Sequence, residues 1–168
     1  MNRAAAVAAV ALAATFASCT PAEAAANPAG GWRRDRIQVR YDTSPAWPVA
    51  RVAEQLDNGS PLNLVPERPG AQLLGCDAGR QCILVWSDPE PYDDGVQLYR
   101  GGAHITDATV QLSDRWGRSH TAAQRERLLC RRLGRAVGLP THNRPGSCLG
   151  SSGNQLDSRD LTDLNRMY

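Results

Sequence analysis

Residues 36–41, Arg-Ile-Gln-Val-Arg-Tyr, alternate polar and apolar, the period-two pattern of a half-buried strand. After Ser44-Pro45 the apolar positions fall at Trp47, Val49, Val52, Ala53 and Leu56, a helical spacing that predicts a helix over 46–56. Residues 62–65, Leu-Asn-Leu-Val, read as a second strand, and a Pro/Gly-rich loop follows. The continuous apolar run at 82–86, Cys-Ile-Leu-Val-Trp, predicts a central strand covered on both faces. Residues 88–102 are acidic and turn-rich and are expected to be a long loop, and 104–112 supply a fourth strand.

Thr121-Ala-Ala-Gln124 is a capping box and opens a further helix. On that helix Leu129, Leu133, Ala136 and Val137 form an apolar stripe, and Arg127, Arg131 and Arg135 form the opposite, basic one. Gly138 supplies a left-handed stop, and a last helix is expected over 158–167. The order β-α-β-β-β-α-loop-α, without internal repeats, places the chain in the α+β class.

The 168 residues suffice for one domain with its own core and not for two. Residues 1–26 read as an export signal: Arg3, an apolar run to Phe16, then small residues. Cleavage after Ala22-Glu23-Ala24 gives a soluble product. Phe16-Ala17-Ser18-Cys19 resembles a lipoprotein site that lipidates Cys19, with a poor first residue. The expected organisation is a signal over 1–26, a flexible lead over 27–34 and a single domain over 35–168. The apolar run at the start is too short and Ala-rich to be a stable spanning helix, so an extracellular location is expected. Such a compartment suits disulfides, and Cys76, Cys82, Cys130 and Cys148 allow three pairings. They contain no Cys-x-x-Cys pair, which argues against a four-cysteine zinc site.

All 19 Lys/Arg positions are arginine, and Ala, Gly and Pro are abundant, a composition that points to a GC-rich bacterial gene. The net charge of +2 is unremarkable. No aromatic-plus-basic stacking pattern suggests nucleic acid, no long cationic amphipathic segment suggests a membrane surface, and a monomer is expected.

The residues with most to say about chemistry lie at 130–139, Cys-Arg-Arg-Leu-Gly-Arg-Ala-Val-Gly-Leu. This stretch resembles the helix of the metzincin zinc peptidases, H-E-x-x-H-x-x-G-x-x-H, with Leu133-Gly134 and Gly138 in place. Arg131, Arg132 and Arg135 stand where that motif has its first histidine, its glutamate and its second histidine. The third histidine position falls on Thr141, and His142 lies one residue beyond. Ser147-Cys148-Leu149-Gly150 lies where the family carries its Met-turn, and residues 160–168 complete the likeness to the small secreted matrixin-like and snapalysin-like branch. The resemblance covers 110–168 well and the earlier chain more loosely.

What it implies is a twisted mixed sheet of about four strands packed on two helices, with a C-terminal helix after the turn. It also implies a Cys130–Cys148 disulfide, with Cys76–Cys82 expected as the second bridge. Gly134 is expected either to permit close packing, in relatives against backbone beneath the helix, or to be a tolerated surface glycine. Leu149 in the methionine position is a near-isosteric exchange.

The departures from the motif decide the chemistry. A zinc ligand offers a lone pair, whereas guanidinium offers only donors and stays charged. A divalent cation about 6 Å from one guanidinium, at an effective dielectric of about 20, is disfavoured by roughly 5 kcal/mol. Arg131 and Arg135 therefore cannot ligate zinc, and Arg132 cannot act as general base. His142 is either a remnant third ligand reached by a one-residue slip or a loop histidine. The basic stripe is either a solvated face or an anion-attracting cleft floor.

The leading expectation is a secreted pseudopeptidase without zinc or other cofactor, binding a peptide or protein in the old cleft. One alternative is an active zinc endopeptidase with a rearranged site built on His104, His120 and His142, no two of which have i, i+4 spacing. The other is a secreted structural domain without cleft function.

Overall fold

The computed structural model describes residues 31–33, 36–68, 75–77, 79–89 and 95–168. The expected signal at 1–26 with Cys19, and residues 27–30 of the expected lead, lie outside the described residues.

The alternation at the start of the domain forms β1 (Arg36–Asp42), with Ile37 and Val39 fully buried. Helix α1 (Val49–Asp57) buries Val49, Val52, Ala53 and Leu56. It starts three residues later than the apolar spacing suggests. Pro48 is its N-cap, and a residue preceding proline, here Trp47, is disfavoured from helical backbone. Then come β2 (Asn63–Glu67), β3 (Cys82–Asp88), β4 (Val96–Gly101) and β5 (His104–Ser113), followed by α2 (Asp114–Ser119), α3 (Ala122–Ala136) and α4 (Ser158–Met167).

The five strands form one mixed sheet in the order β2-β1-β3-β5-β4. β1 runs parallel to β2 and β3, and β3 parallel to β5, while β4 is antiparallel to β5 at the edge. The apolar run at β3 is central, as its composition predicts. Two elements correct the reading from sequence. β4 lies inside the acidic segment expected to be a loop, and α2 forms between β5 and α3 where no helix is expected.

The reason β4 escapes pattern reading is that it buries almost nothing. All but Val96 of its residues are exposed, and main-chain pairing to β5 through a two-residue turn with Gly102 at φ +67° holds it. α2 is a short helix capped by the Ser113 hydroxyl, which accepts from the Trp116 N–H at 3.1 Å.

The core lies between the sheet and helices α1 and α3, where Ile37, Val39, Ile83, Val85 and Val110 meet the apolar faces of both. Each such side chain contributes about 1.5–3 kcal/mol by burial. Trp32 corrects the expected flexible lead. It is 3% exposed, bridges to Ile105, and its indole N–H donates to the Ala136 carbonyl at 3.0 Å. The packed domain thus includes the chain from at least Gly31. Among the described residues no helix is long and apolar enough to cross a membrane. The two disulfides suit an oxidising compartment.

Candidate functional site

Helix α3 is fixed at both ends by local sequence. Thr121 accepts from the Gln124 N–H while the Gln124 side chain accepts from the Thr121 N–H, a complete capping box. At the other end Gly138, at φ +98°, donates to the Arg135 carbonyl and Leu139 donates to that of Gly134. This pair of bonds is the Schellman stop. Leu129, Cys130, Leu133, Gly134 and Ala136 are buried against the sheet and the segment beneath.

The segment beneath is the 147–150 turn, which is wholly buried. The Cys130–Cys148 disulfide ties it to α3, and the Cys76–Cys82 disulfide closes the short loop before β3. Both pairings are the expected ones, Cys130–Cys148 being the one the resemblance implies. Leu149 packs directly under Gly134: a Cβ built on Gly134 meets the Leu149 Cδ2 at 2.9 Å. Gly134 is therefore a packing glycine, and its neighbour is a side chain rather than the backbone implied for relatives.

Two of the three arginines of the basic stripe turn back onto the chain itself. Arg127 donates to the carbonyls of Gly150 and Ser151, and Arg131 to that of Leu149 at 3.4 Å. Both side chains are half-buried, so they clip the helix to backbone acceptors of the turn. Arg132 is also half-buried, and Arg135 is exposed. The donor set on this face does not fit zinc, because each group that reaches toward the turn is an N–H donor without a lone pair.

His142 is held elsewhere. Its Nδ1 accepts the Arg144 N–H at 3.2 Å, which leaves Nε2 protonated in the neutral ring and donating to Asp160 Oδ1 at 2.9 Å. Both ring nitrogens are thereby used, and no lone pair faces a metal. Asp160, 2% exposed, also accepts from Arg144 at 3.0 Å, from the Ser147 hydroxyl, and from the Asp157 N–H at 3.1 Å. This carboxylate joins the loop after α3, the turn and α4. The Asp160 N–H, above all, holds the Asp157 carboxyl below its ordinary range. Partial burial opposes that shift, and the Arg159 N–H, the Arg144 charge and the neighbouring His142 ring assist it.

Sequence reading passed over Asp160 as a site residue. Its only local signature is the Asp157-x-x-Asp160 capping box that opens α4. That pattern marks a helix start and does not reveal the partners at 142, 144 and 147.

Among the described residues two groups bring three candidate ligand atoms within 4.8 Å of one another: Cys76, Cys82 and Asp107, and His142, Asp157 and Asp160. The sulfurs of the first are in a disulfide, and the second already carries the Arg144 guanidinium. Neither group holds two histidines. His104 is exposed at the β4–β5 turn, and His120 stacks on Trp116 at a ring distance of 3.6 Å.

β4 ends the sheet, and among the described residues no further strand pairs with its outer edge. Helix α3 contacts both β4 and β5, and Leu98 and Tyr99 on β4 are exposed.

No protein-family model matches the chain, and no curated protein matches it. Among solved structures it is similar to a zinc-dependent peptidase from Methanocorpusculum labreanum (strain Z), at 14% identity and a TM-score of 0.47. That match covers 77% of this chain and 100% of the other. A likeness of that degree is one of outline and assigns no residue a role.

Proposed function

We propose that this chain is a secreted, zinc-free pseudopeptidase that binds extended peptide or protein segments along β4. The observation that carries the reading is the use made of the α3 face. Arg127 and Arg131 spend their donors on the carbonyls of residues 149–151, so helix and turn are held together without a metal. The β4 edge, which no described strand covers, with Leu98 and Tyr99 exposed beside it, suits strand addition by a peptide, in which main-chain bonds supply affinity and side-chain pockets selectivity.

The zinc-free part of the reading has a direct test. Purified from its natural export route, the protein should contain no stoichiometric zinc by elemental analysis and should cleave neither casein nor gelatin. About one zinc per chain with chelator-sensitive proteolysis defeats the reading. For the binding part, a displayed random peptide library should yield extended apolar peptides that Leu98→Lys with Tyr99→Lys no longer retains, since charges on an edge strand block pairing.

A second reading is a secreted structural domain acting through another surface. The commitment of Arg127 and Arg131 to the turn favours it, because these arginines then serve stability. Equal library enrichment by the parent and the double variant supports that reading.

A further inference from the structure

Helix α1 ends at Asp57, and the chain turns through Asn58-Gly59 toward β2. Asn58 has φ −64° and ψ 112°, Gly59 has φ +86°, and the Ser60 N–H donates to the Asp57 carbonyl at 3.1 Å. These are the angles and the closing bond of a type II β-turn, whose third position favours glycine. Both turn residues are exposed. Among the described residues neither the Asn58 side-chain amide nor the Gly59 N–H has a hydrogen-bond partner.

A bond from the Gly59 nitrogen to Asn58 Cγ closes a five-membered ring, and glycine has no Cβ to crowd that nitrogen. The attack needs the peptide between them to rotate away from ψ 112°. Glycine accepts either sign of φ, and the rotation gives up one backbone bond, from Ser60 to Asp57, in an exposed turn.

We propose that Asn58 is a site of spontaneous deamidation and that its product loosens the corner between α1 and β2. The Gly59 nitrogen loses its proton to solvent base and bonds to Asn58 Cγ, the Cγ–Nδ2 bond breaks, and ammonia leaves. Water then opens the cyclic imide at either carbonyl. Opening at Cγ gives aspartate, and opening at the backbone carbonyl gives isoaspartate, which carries the main chain through the side-chain methylene.

Either product sets a carboxylate at the C-terminal end of α1, where the helix dipole disfavours negative charge. That end already holds Glu54 and Asp57 and has no basic residue in its last turn. Asp57 Oδ1 accepts the Leu64 N–H at 2.7 Å, so the new charge lies beside the group that ties β2 to α1. The site depends neither on the reading of α3 nor on that of β4.

Peptide mapping by mass spectrometry of the folded protein, held at mildly alkaline pH, tests it. The peptide containing Asn58 should exchange its amide for a carboxyl, in both aspartate and isoaspartate forms. Asn63, Asn143, Asn154 and Asn165, each followed by a residue with a side chain, should stay intact over the same period. Gly59→Ala should slow the conversion by about tenfold or more. Its left-handed backbone strains alanine, and should that variant fail to fold, Asn58→Gln, which needs a six-membered ring, should lose the modification. Asn58→Asp should unfold at lower urea than the parent. No conversion at Asn58, equally fast conversion at the other asparagines, aspartate without isoaspartate, or Asn58→Asp as resistant to urea as the parent each overturns the inference.

Discussion

Asp160 concentrates more cross-chain bonding than any charged side chain of the α3–α4 region, drawing on His142, Arg144, Ser147 and the Asp157 N–H while 2% exposed. Truncation strands four donors at once, those of His142, Arg144, Ser147 and the Asp157 N–H. Asp160→Ala is expected to cost about 3–5 kcal/mol in urea denaturation, the range for breaking a buried charged pair. Asp163→Ala on the same helix, from an exposed pair with Arg166, should stay within about 0.5 kcal/mol. Comparable losses for the two would show that the Asp160 network is not what holds this region.

Gly134 makes a second residue-scale case, where two effects oppose. Alanine gains about 1 kcal/mol of helix propensity, but its Cβ enters the fully buried Leu149 side chain, and overpacking costs about 1–3 kcal/mol. Gly134→Ala should therefore be neutral to destabilising by about 2 kcal/mol. Combined with Leu149→Val, which vacates a methyl, it should recover part of that loss. A double-mutant cycle without coupling would rule out the contact as the cause.

At the scale of the element, α3 and the turn form a unit held by one disulfide, one glycine contact and two arginine clips. The triple variant Arg131→His, Arg132→Glu and Arg135→His places two imidazoles four residues apart on one helix face, where side chains are neighbours. It should bind zinc weakly in calorimetric titration, because His142 is committed to Asp160 and does not serve as third ligand. Adding Thr141→His should tighten binding. Folded variants with no zinc affinity above the parent would mean that this face does not match a metzincin ligand face.

For the molecule as a whole, Tyr168 is a closing clamp. Its hydroxyl accepts from the Trp32 N–H at 2.8 Å and donates to the Val137 carbonyl at 2.9 Å, joining the start of the domain, the end of α3 and α4. Burial pushes its phenol up to about 12, against the opposing Trp32 bond. The neutral form is the one the fold prefers. Its stabilisation, roughly 2–3 kcal/mol, is therefore complete below the ordinary tyrosine value of about 10 and disappears as pH rises through about 12. Ultraviolet titration should show one tyrosine, absent in Tyr168→Phe, ionising well after the rest. Asp157 works in the opposite sense. Its lowered value contributes stability above the ordinary aspartate range that is lost as pH falls through the folded value.

What the amino-acid sequence determined by itself is what local chemistry encodes. The Thr121 capping box, the Gly138 stop and the span of α4 are read correctly because each depends on residues within one or two turns. The central place of β3 is legible from its unbroken apolar run. Only the tertiary structure decided where polar groups far apart in the chain meet. It turned Arg127 and Arg131 toward the turn carbonyls, took His142 to Asp160, drew Trp32 into the core and buried Gln38 Oε1 without a hydrogen-bond partner. It also made β4 a strand, through backbone pairing that no side-chain pattern records. A buried donor or acceptor must find a partner wherever the fold brings one, and sequence spacing does not carry that distance.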